Sequence, residues 1–245
     1  RPFSYYEGVV RQVRAALPHA DIKAFTPVEV VNFAKTEGTS VRDILRTLQA
    51  AGLSSLPGGG AEILSDRVRE IICPNKATRA EWLDCMRTAH ELGIRTNASM
   101  MYGHIETVEE RIDHLLALRE LQDETGGFQA FMLFPFHPEN TALGVEQKLA
   151  RVGSWEDMKM LALARLVLDN VAHFKAFWVM LTQPIAQLAL GFGADDLDGT
   201  IGEEKIIHAA GAQTQTGITR RELDAMIREA GYVPVERDTF YQPIA

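Results

Sequence analysis

Four stretches of this 245-residue chain combine glycine, histidine and carboxylate side chains in patterns that could bind a small molecule. The first, residues 57–62, reads PGGGAE. Consecutive glycines let a backbone approach a ligand closely, and Glu62 could accept hydrogen bonds from a ribose diol. The spacing matches neither a P-loop nor the GxGxxG fingerprint, so a tight turn with a solvated Glu62 is the competing interpretation.

The second and third stretches place histidines beside aromatic, proline and acidic residues. In residues 101–107 (MYGHIET), His104 could donate a proton or bind a ligand, or it could be structural. In residues 134–141 (FPFHPENT), aromatic and proline residues could form a rigid wall, although the phenylalanines could equally belong to the core. The polar groups of this stretch that could orient a ligand are His137, Glu139 and Asn140.

The fourth stretch, residues 193–200, reads GADDLDGT and suggests a calcium loop. Alignment with the EF-hand template puts an alanine at the first ligand position and a lysine at the last, so that interpretation fails. What remains is a polar turn that could contact a hydroxylated ligand through Asp196, Asp198 and Thr200. The sequence therefore predicts no metal ligands.

The composition is that of an ordinary globular protein, with 46% hydrophobic and 24% charged residues. A net charge of -8 and the lack of a basic run argue against a nucleic-acid partner. No segment approaches the roughly 20 apolar residues of a membrane span and no signal-peptide pattern is present, so we expect a cytoplasmic protein without a membrane partner. The two cysteines, Cys73 and Cys85, are expected to fill small apolar spaces.

The sequence predicts several helix N-termini, because a Ser or Thr followed three residues later by Glu or Asp satisfies the N–H groups of a first helical turn. This pattern predicts caps at Ser4, Thr26, Ser40, Thr78, Thr107, Ser154 and Thr219. Apolar runs between the caps predict strands at residues 22–25, 53–56, 94–102, 128–134 and 174–181, with a weaker sixth at 194–199.

Strands that alternate with helices about every 30 residues predict an α/β fold with a parallel sheet. A closed barrel of about eight strands would need about two more βα units before the first helix, which is predicted over residues 4–17. We therefore expect a partial TIM-type (β/α) barrel over residues 1–190, with its N-terminal βα units missing. Residues 191–245 are expected to form a C-terminal extension packed on the barrel.

Several runs of the sequence resemble aminofutalosine synthases, which are radical S-adenosylmethionine (SAM) enzymes of the futalosine route to menaquinone. The runs are residues 55–63 (SLPGGGAEI), 87–94 (RTAHELGI), 101–107 (MYGHIET), 119–131 (RELQDETGGFQAF), 136–141 (FHPENT) and 193–200 (GADDLDGT). Sibling radical SAM enzymes, namely the dehypoxanthine futalosine cyclase and the deazaflavin F420 synthase subunits, share the PGGGAE and GADDLDGT-like motifs. The GHIET and LQDETGGFQAF runs favour the aminofutalosine synthases.

The resemblance implies a barrel of the radical SAM type and two cofactors in the full-length enzyme, SAM and a [4Fe–4S] cluster held by a CxxxCxxC loop. That loop is absent and neither Cys73 nor Cys85 replaces it, so we expect an N-terminally truncated fragment that lacks the cluster ligands and is inactive alone. The implied reaction adds the 5'-deoxyadenosyl radical from SAM to 3-[(1-carboxyvinyl)oxy]benzoate and gives 6-amino-6-deoxyfutalosine. An electron donor such as flavodoxin or ferredoxin is the implied partner.

The resemblance also assigns binding residues, although it assigns no catalytic one. The residues expected to contact SAM are Gly58, Gly59, Gly60, Glu62, Tyr102 and Gly103. The residues expected to orient the small-molecule substrate are His137, Glu139, Asn140, Asp196, Asp198 and Thr200.

Two alternatives compete with a radical SAM enzyme. A Schiff-base aldolase would use Lys175, but this lysine lies just before the apolar strand segment 176–181 and is expected to be solvated rather than buried in a barrel. A non-catalytic barrel scaffold that binds a partner is the other alternative.

Overall fold

The computed structural model describes residues 1–202, 204–215 and 217–244. Its helices are α1 (Phe3–Ala16), α2 (Pro27–Glu37), α3 (Val41–Ala51), α4 (Asp66–Ile72), α5 (Arg79–Glu91), α6 (Val108–Thr125), α7 (Ala142–Glu146), α8 (Ser154–Val167), α9 (Trp178–Leu181), α10 (Gln183–Ala189), α11 (Lys205–Ala210) and α12 (Arg220–Glu229). Its strands are β1 (Ser55–Leu56), β2 (Arg95–Tyr102), β3 (Phe128–Pro135) and β4 (His173–Lys175). A single 3₁₀ turn, Leu190–Phe192, follows α10.

The strands form one parallel sheet in the order β1-β2-β3-β4. An isolated parallel bridge extends each edge, from Lys23 to Ser55 on one side and from Lys175 to Asp196 on the other. Parallel chain segments therefore lie side by side in sequence order, with helices between them. This arrangement confirms the predicted α/β class and the partial TIM-type barrel.

The predicted strand at residues 174–181 was wrong beyond its first two residues. The chain pairs only as far as Lys175 and then turns into α9, because a continuous apolar run fits a buried helix as well as a buried strand. The runs at 22–25 and 194–199 each contribute a single bridge rather than a strand. Positive φ values, +60° at Phe25 and +68° at Asp198, turn the backbone away from the sheet.

Five of the predicted caps are confirmed, since each side chain accepts a hydrogen bond from the backbone N–H three residues later; they are Thr26, Ser40, Thr78, Thr107 and Thr219. The caps predicted at Ser4 and Ser154 were wrong. Both residues lie inside their helices, behind Pro2 and Gly153, which occupy the cap positions without a side-chain hydrogen bond.

Two apolar clusters stabilise the molecule. One packs α5, α6, α8 and the C-terminal helices against one face of the sheet, and includes Trp82, Phe131 and Trp178. The other joins α1, α2, α3 and α5. Both cysteines are buried, and burial raises the pKa of each thiol, as expected of residues that fill apolar space.

The region after residue 190 packs on the barrel, since Ile218 and Leu223 belong to the same apolar cluster as the sheet. A domain boundary at residue 190 stays a prediction, and the last residue of the predicted extension, Ala245, lies outside the described residues. Within the part of the chain that is described, no helix is both long enough and apolar enough to cross a membrane.

Two histidines are held uncharged beside the sheet. His114 of α6 is fully buried, accepts a hydrogen bond from the N–H of Leu64 at 3.0 Å, and has its pKa lowered by burial to about 3. His90 of α5 contacts Thr125 at 2.6 Å and Thr96 at 2.7 Å, and burial lowers its pKa to about 4. The folded state therefore resists protonation of both rings.

We expect the free energy of unfolding to fall as the pH drops from about 6.5 toward about 4, because the unfolded chain then binds protons that the folded chain excludes. Each histidine contributes up to about 1.4 kcal/mol per pH unit in this window. Urea unfolding at several pH values measures the slope. The His90→Gln variant should have a shallower slope than the wild type, whereas His19→Gln, at an exposed histidine, should leave it unchanged. A flat profile in the wild type would contradict the expectation.

Candidate functional site

The carboxyl ends of the strands meet at one end of the partial barrel, and the loops there hold most of the residues selected from the sequence. Inner-face residues of β2 such as Asn97 and Ser99 alternate with Ala98 and Met100, which face the helices and belong to the core. Parallel α/β folds bind ligands at this end of the sheet.

The PGGGAE turn follows β1 and is shaped by close packing against the chain itself. A methyl group at Gly58 would lie 2.8 Å from the Asn97 carbonyl oxygen and 2.9 Å from the Ala98 backbone. Gly59 packs against Thr26 in the same way, and Ser99 donates a hydrogen bond to the Gly58 carbonyl at 2.8 Å. The glycines therefore bring the turn onto β2, in addition to any ligand they contact.

The Gly58→Ala variant is expected to lose about 1–3 kcal/mol of unfolding free energy, because the methyl group would overlap backbone atoms that are fixed in the β2 ladder. Chemical denaturation of wild type and variant measures the loss. The matched control is Gly191→Ala, at a glycine with open space around it and no positive φ. Equal stability of the Gly58→Ala variant and the wild type would show that the turn has more freedom than its packing indicates.

Arg69 holds the turn in place from the side of α4, and no sequence motif indicated this role. This α4 residue is 3% exposed, and its guanidinium donates to the carbonyl oxygens of Gly60 at 3.1 Å and Ile63 at 3.3 Å. It also donates to the carbonyls of Ala61 and Ala77. A buried side chain thus satisfies carbonyl oxygens that the irregular backbone cannot pair.

Glu62 closes the turn in a strained conformation, with φ at +45°. Its carbonyl accepts the Met101 N–H at 2.7 Å, and its carboxylate pairs with Lys76 at 2.5 Å. The carboxylate is about 20% exposed, so it lies at the surface of the turn rather than under it. The N–H groups of Gly58, Gly59 and Gly60 have no acceptor among the described residues, which leaves donors available to a polar ligand.

Tyr102 is the last residue of β2, and Gly103 begins the loop after it, next to the Glu62 turn. The Tyr102 side chain, however, points toward the helices. It is fully buried, and its hydroxyl donates to Asp157 at 2.5 Å. Burial raises the pKa of Tyr102, and it also raises the pKa of Asp157. At the end of β2, the Tyr102 backbone and Gly103, whose φ is +88°, are therefore what faces the loops.

Glu106 organises the rest of the β2–α6 loop. Its carboxylate accepts the N–H groups of Gly103 at 2.5 Å and His104 at 2.9 Å, lies 2.8 Å from His104 Nδ1, and pairs with Arg111 at 2.7 Å. Burial opposes the charge, but these donors outweigh it and hold the pKa of Glu106 at about 2. His104 is therefore enclosed in a buried ionic network, which favours its structural interpretation.

The residues predicted after β3 divide between two environments. His137 is buried and its Nε2 lies 3.2 Å from the Met180 carbonyl, while its buried Nδ1 has no partner among the described residues. Burial lowers its pKa. Glu139 and Asn140 are exposed, and Asn140 bonds to the end of α11 through its N–H at 3.1 Å and its amide at 3.2 Å.

The residues predicted after β4 lie at the far edge of the sheet, away from the glycine turn. Asp196 and Asp198 face Lys175, which pairs with Asp198 and lies 4.0 Å from Asp196. Thr200 is exposed. Asp196, Asp198 and Thr200 line a cavity of about 810 Å³ between the barrel edge, α12 and the C-terminal segment. Lys175 lies beside this cavity.

The expectation that Lys175 precedes its strand and is solvated was wrong. Lys175 is the last residue of β4 and is 6% exposed. The apolar run that follows was taken for the strand, so the lysine was placed outside it. Its amino group pairs with the Asp198 carboxylate, so the nitrogen is engaged rather than free to attack a carbonyl as Schiff-base chemistry requires.

Three functional candidates were missed in the sequence: Arg237 and Tyr241 at this edge, and Lys23 on the segment that bridges to β1 at the other edge. Arg237 pairs with Asp196 at 2.6 Å, and the Tyr241 ring packs 4.4 Å from the Arg237 guanidinium. They come from opposite ends of the chain. Only Lys23 had a possible signal, since it is a charged residue inside an apolar run.

The residues present do not fit a [4Fe–4S] cluster. Among the described residues, no three or more His, Cys, Asp or Glu side chains gather as metal ligands would. Cys73 and Cys85 are buried thiols with raised pKa values, the opposite of thiolate ligands. The open N–H groups of the glycine turn do fit a polar ligand such as SAM.

Two parts of the chain match known families. Residues 4–118 match the Radical SAM superfamily, and residues 125–245 match the CofH/MqnC C-terminal region. Among solved structures, methylornithine synthase (PylB) superposes with a TM-score of 0.62 at 12% identity, over 95% of this chain and 64% of its own. HydG, a maturase of the [FeFe]-hydrogenase, superposes with a TM-score of 0.61 at 16% identity, over 98% of this chain and 51% of its own. These two structures share the fold.

Curated relatives are much more similar in sequence. Aminodeoxyfutalosine synthase of Thermus thermophilus is 47% identical over 100% of this chain and 66% of the relative. The 5-amino-6-(D-ribitylamino)uracil–L-tyrosine 4-hydroxyphenyl transferase of Methanococcoides burtonii is 43% identical over 98% and 68%. Transferase 1 of the same name from Methanosarcina acetivorans is 44% identical over 98% and 65%. The chain spans about two thirds of these relatives and belongs to the radical SAM superfamily of enzymes, with a CofH/MqnC C-terminal region.

Proposed function

We propose that this chain is the SAM- and substrate-binding part of an enzyme that makes 6-amino-6-deoxyfutalosine for menaquinone biosynthesis. The substrates would be SAM and 3-[(1-carboxyvinyl)oxy]benzoate. The observation that carries the proposal is 47% identity, over the whole chain, to a relative named aminodeoxyfutalosine synthase. Radical SAM enzymes use SAM and a [4Fe–4S] cluster, and the cluster would be held by a part of the enzyme other than the described residues.

SAM is proposed to bind at the PGGGAE turn. The N–H groups of Gly58, Gly59 and Gly60 lack an acceptor among the described residues, and the Glu62 carboxylate stands at the surface of the turn, where it could accept from a ribose. Gly103 lies on the next loop. Tyr102 would contribute its backbone only, because its side chain is committed to Asp157.

The substrate is proposed to lie between the loops that follow β3 and β4. His137 offers a buried nitrogen without a partner among the described residues, and Asp196 and Asp198 present carboxylates at the barrel edge. Glu139, Asn140 and Thr200 are exposed, so they would contact only the outer part of a bound molecule. The radical SAM reaction needs a reductant, for which we propose a cytoplasmic flavodoxin or ferredoxin.

A second function has specific support. The match to the CofH/MqnC C-terminal region and identities of 43–44% to tyrosine 4-hydroxyphenyl transferases favour a reaction between 5-amino-6-(D-ribitylamino)uracil and L-tyrosine. The two functions differ in their substrates, so a product assay separates them.

The experiment uses the protein expressed from its complete reading frame, purified without oxygen and supplied with SAM and dithionite. Parallel reactions contain either 3-[(1-carboxyvinyl)oxy]benzoate or 5-amino-6-(D-ribitylamino)uracil with L-tyrosine, and the products are identified by mass spectrometry. We expect 6-amino-6-deoxyfutalosine from the first reaction and no adduct from the second. The reverse pattern would replace the proposed function by the transferase reaction.

A further inference from the structure

Residues 236–244 fold back into a short hook. The N–H of Ile244 donates to the Glu236 carbonyl at 2.8 Å, and the Asp238 carboxylate accepts the N–H groups of Phe240 and Gln242 at 2.8 Å each. These bonds lie within the hook itself. The hook therefore has a defined shape and presents its side chains at fixed positions.

The hook reaches the inner face of the sheet at several points. Gln129 of β3 donates to a hook carbonyl at 3.2 Å, and Arg237 of the hook pairs with Asp196 at 2.6 Å. The Tyr241 ring stacks on His173 of β4 with centroids 4.0 Å apart. The hook therefore covers part of the inner face of the sheet, beside β3 and β4.

Lys23 extends toward this hook from the opposite edge of the sheet. Its pKa is lowered to about 8, mainly by burial and then by the positive charges of Lys175 and Arg237, while Asp196 and Asp198 partly offset them. Lys175 and Arg237 pair with the aspartates, but Lys23 has no hydrogen-bond acceptor or ion-pair partner among the described residues. Of these three cations, Lys23 is therefore the one without a direct anionic partner among the described residues.

Tyr241 adds a neutral donor to the same space. Its hydroxyl is buried and has no hydrogen-bond partner among the described residues. Burial raises the pKa of the phenol, so the hydroxyl keeps its proton at neutral pH. The backbone holds this side chain in place with φ at +63°, a strained value for a tyrosine. Burying a hydrogen-bond donor without an acceptor costs free energy, which is recovered when a ligand accepts the hydrogen bond.

Lys23 belongs to a segment that lies close to the proposed SAM turn. Lys23 is bridged to Ser55, and the PGGGAE turn begins two residues after Ser55. Three residues beyond Lys23, Thr26 packs against Gly59 of that turn. A molecule held at Lys23 can therefore extend along the inner face of the sheet toward the turn.

We propose that Lys23 and the Tyr241 hydroxyl bind a carboxylate group of the substrate, inside the barrel and under the glycine turn. The proposal rests on the proposed function, because it requires an aryl carboxylate substrate. A carboxylate supplies the missing negative charge for Lys23 and an acceptor for the phenol, and two oxygens can serve both donors at once.

The test measures binding of benzoate and of its neutral isostere benzamide to the protein from the complete reading frame, by NMR titration at pH 7. We expect benzoate to bind more tightly than benzamide. The Lys23→Met variant should weaken benzoate binding by about tenfold or more, with little change for benzamide, and Tyr241→Phe should weaken benzoate binding by about fivefold. Lys23→Arg should stay within about threefold of the wild type because it keeps the charge. The matched control is Lys159→Met, at an exposed lysine of α8.

Benzoate binding that is unchanged in Lys23→Met, or equal binding of benzoate and benzamide to the wild type, would overturn the proposal. Circular dichroism confirms that each variant is folded, and Lys23→Arg supplies the folded reference if the methionine variant is unstable. The product assay separates this proposal from the proposed function. Formation of 6-amino-6-deoxyfutalosine with benzoate binding independent of Lys23 overturns this proposal alone. Lys23-dependent benzoate binding with only the tyrosine-derived product overturns the proposed function alone.

Discussion

The Arg69→Met variant is expected to lose about 3–5 kcal/mol of unfolding free energy, because several buried carbonyl oxygens would lose their donor at once. Methionine keeps much of the apolar volume of arginine but cannot donate. The affected carbonyls belong to the PGGGAE turn and to Ala77 before α5, so the turn should lose its fixed shape. Chemical denaturation measures the stability. Equilibrium dialysis measures the affinity for SAM, which we expect to be at least about tenfold weaker in the variant than in the wild type.

The matched control is Arg67→Met, on the same helix. Arg67 is 53% exposed and pairs with Glu110 at the surface, so its loss should change stability far less. If the two arginine variants were equally stable, Arg69 would not be the residue that holds the turn.

The Glu106→Gln variant is expected to lose about 3 kcal/mol of unfolding free energy near neutral pH, because one buried charge of a hydrogen-bonded network is removed. Arg111 would keep only its pair with Glu156 at 2.8 Å. The pKa of Glu106, held at about 2 against an ordinary value near 4.5, sets the pH dependence. Its stabilisation is present above about 4.5 and is lost as the pH falls toward about 2.

Urea unfolding of wild type and Glu106→Gln between pH 7 and pH 3 measures this difference. The two stabilities should converge as the pH falls, since protonation removes the same charge from the wild type. Glu120→Gln, at an exposed glutamate of α6, is the control and should follow the wild type. A gap that stays constant down to pH 3 would mean that the carboxylate charge is not the source of the stability.

Local sequence signals predicted the parts of the fold that local chemistry decides. The capping pairs at Thr26, Thr78, Thr107 and Thr219 act within one helical turn, and all form as predicted. The parallel pairing of the strands also followed from the alternation of strands and helices. Prediction failed at residues 174–181, where an apolar run is compatible with either a strand or a buried helix and only tertiary packing decides.

The candidate site was predicted only where its residues are close in sequence. The PGGGAE turn and the loop containing Glu106 were visible as motifs, since each is a continuous stretch. Arg69 and Tyr241 were invisible, because their roles arise from contacts with carbonyls and charges far along the chain. Lys175 was misplaced, since its strand ends at the lysine and not after it. A sequence motif thus indicated where the loops lie but not what supports them.

The fate of the adenosyl group of SAM tests the central claim most directly. The protein from the complete reading frame is incubated with dithionite, 3-[(1-carboxyvinyl)oxy]benzoate and SAM that carries ¹³C in its ribose, and the products are analysed by mass spectrometry. Because the proposed reaction joins the adenosyl group to the substrate, the label should appear in 6-amino-6-deoxyfutalosine. Label found solely in free 5'-deoxyadenosine, with no labelled adduct of the aryl substrate, would contradict the account.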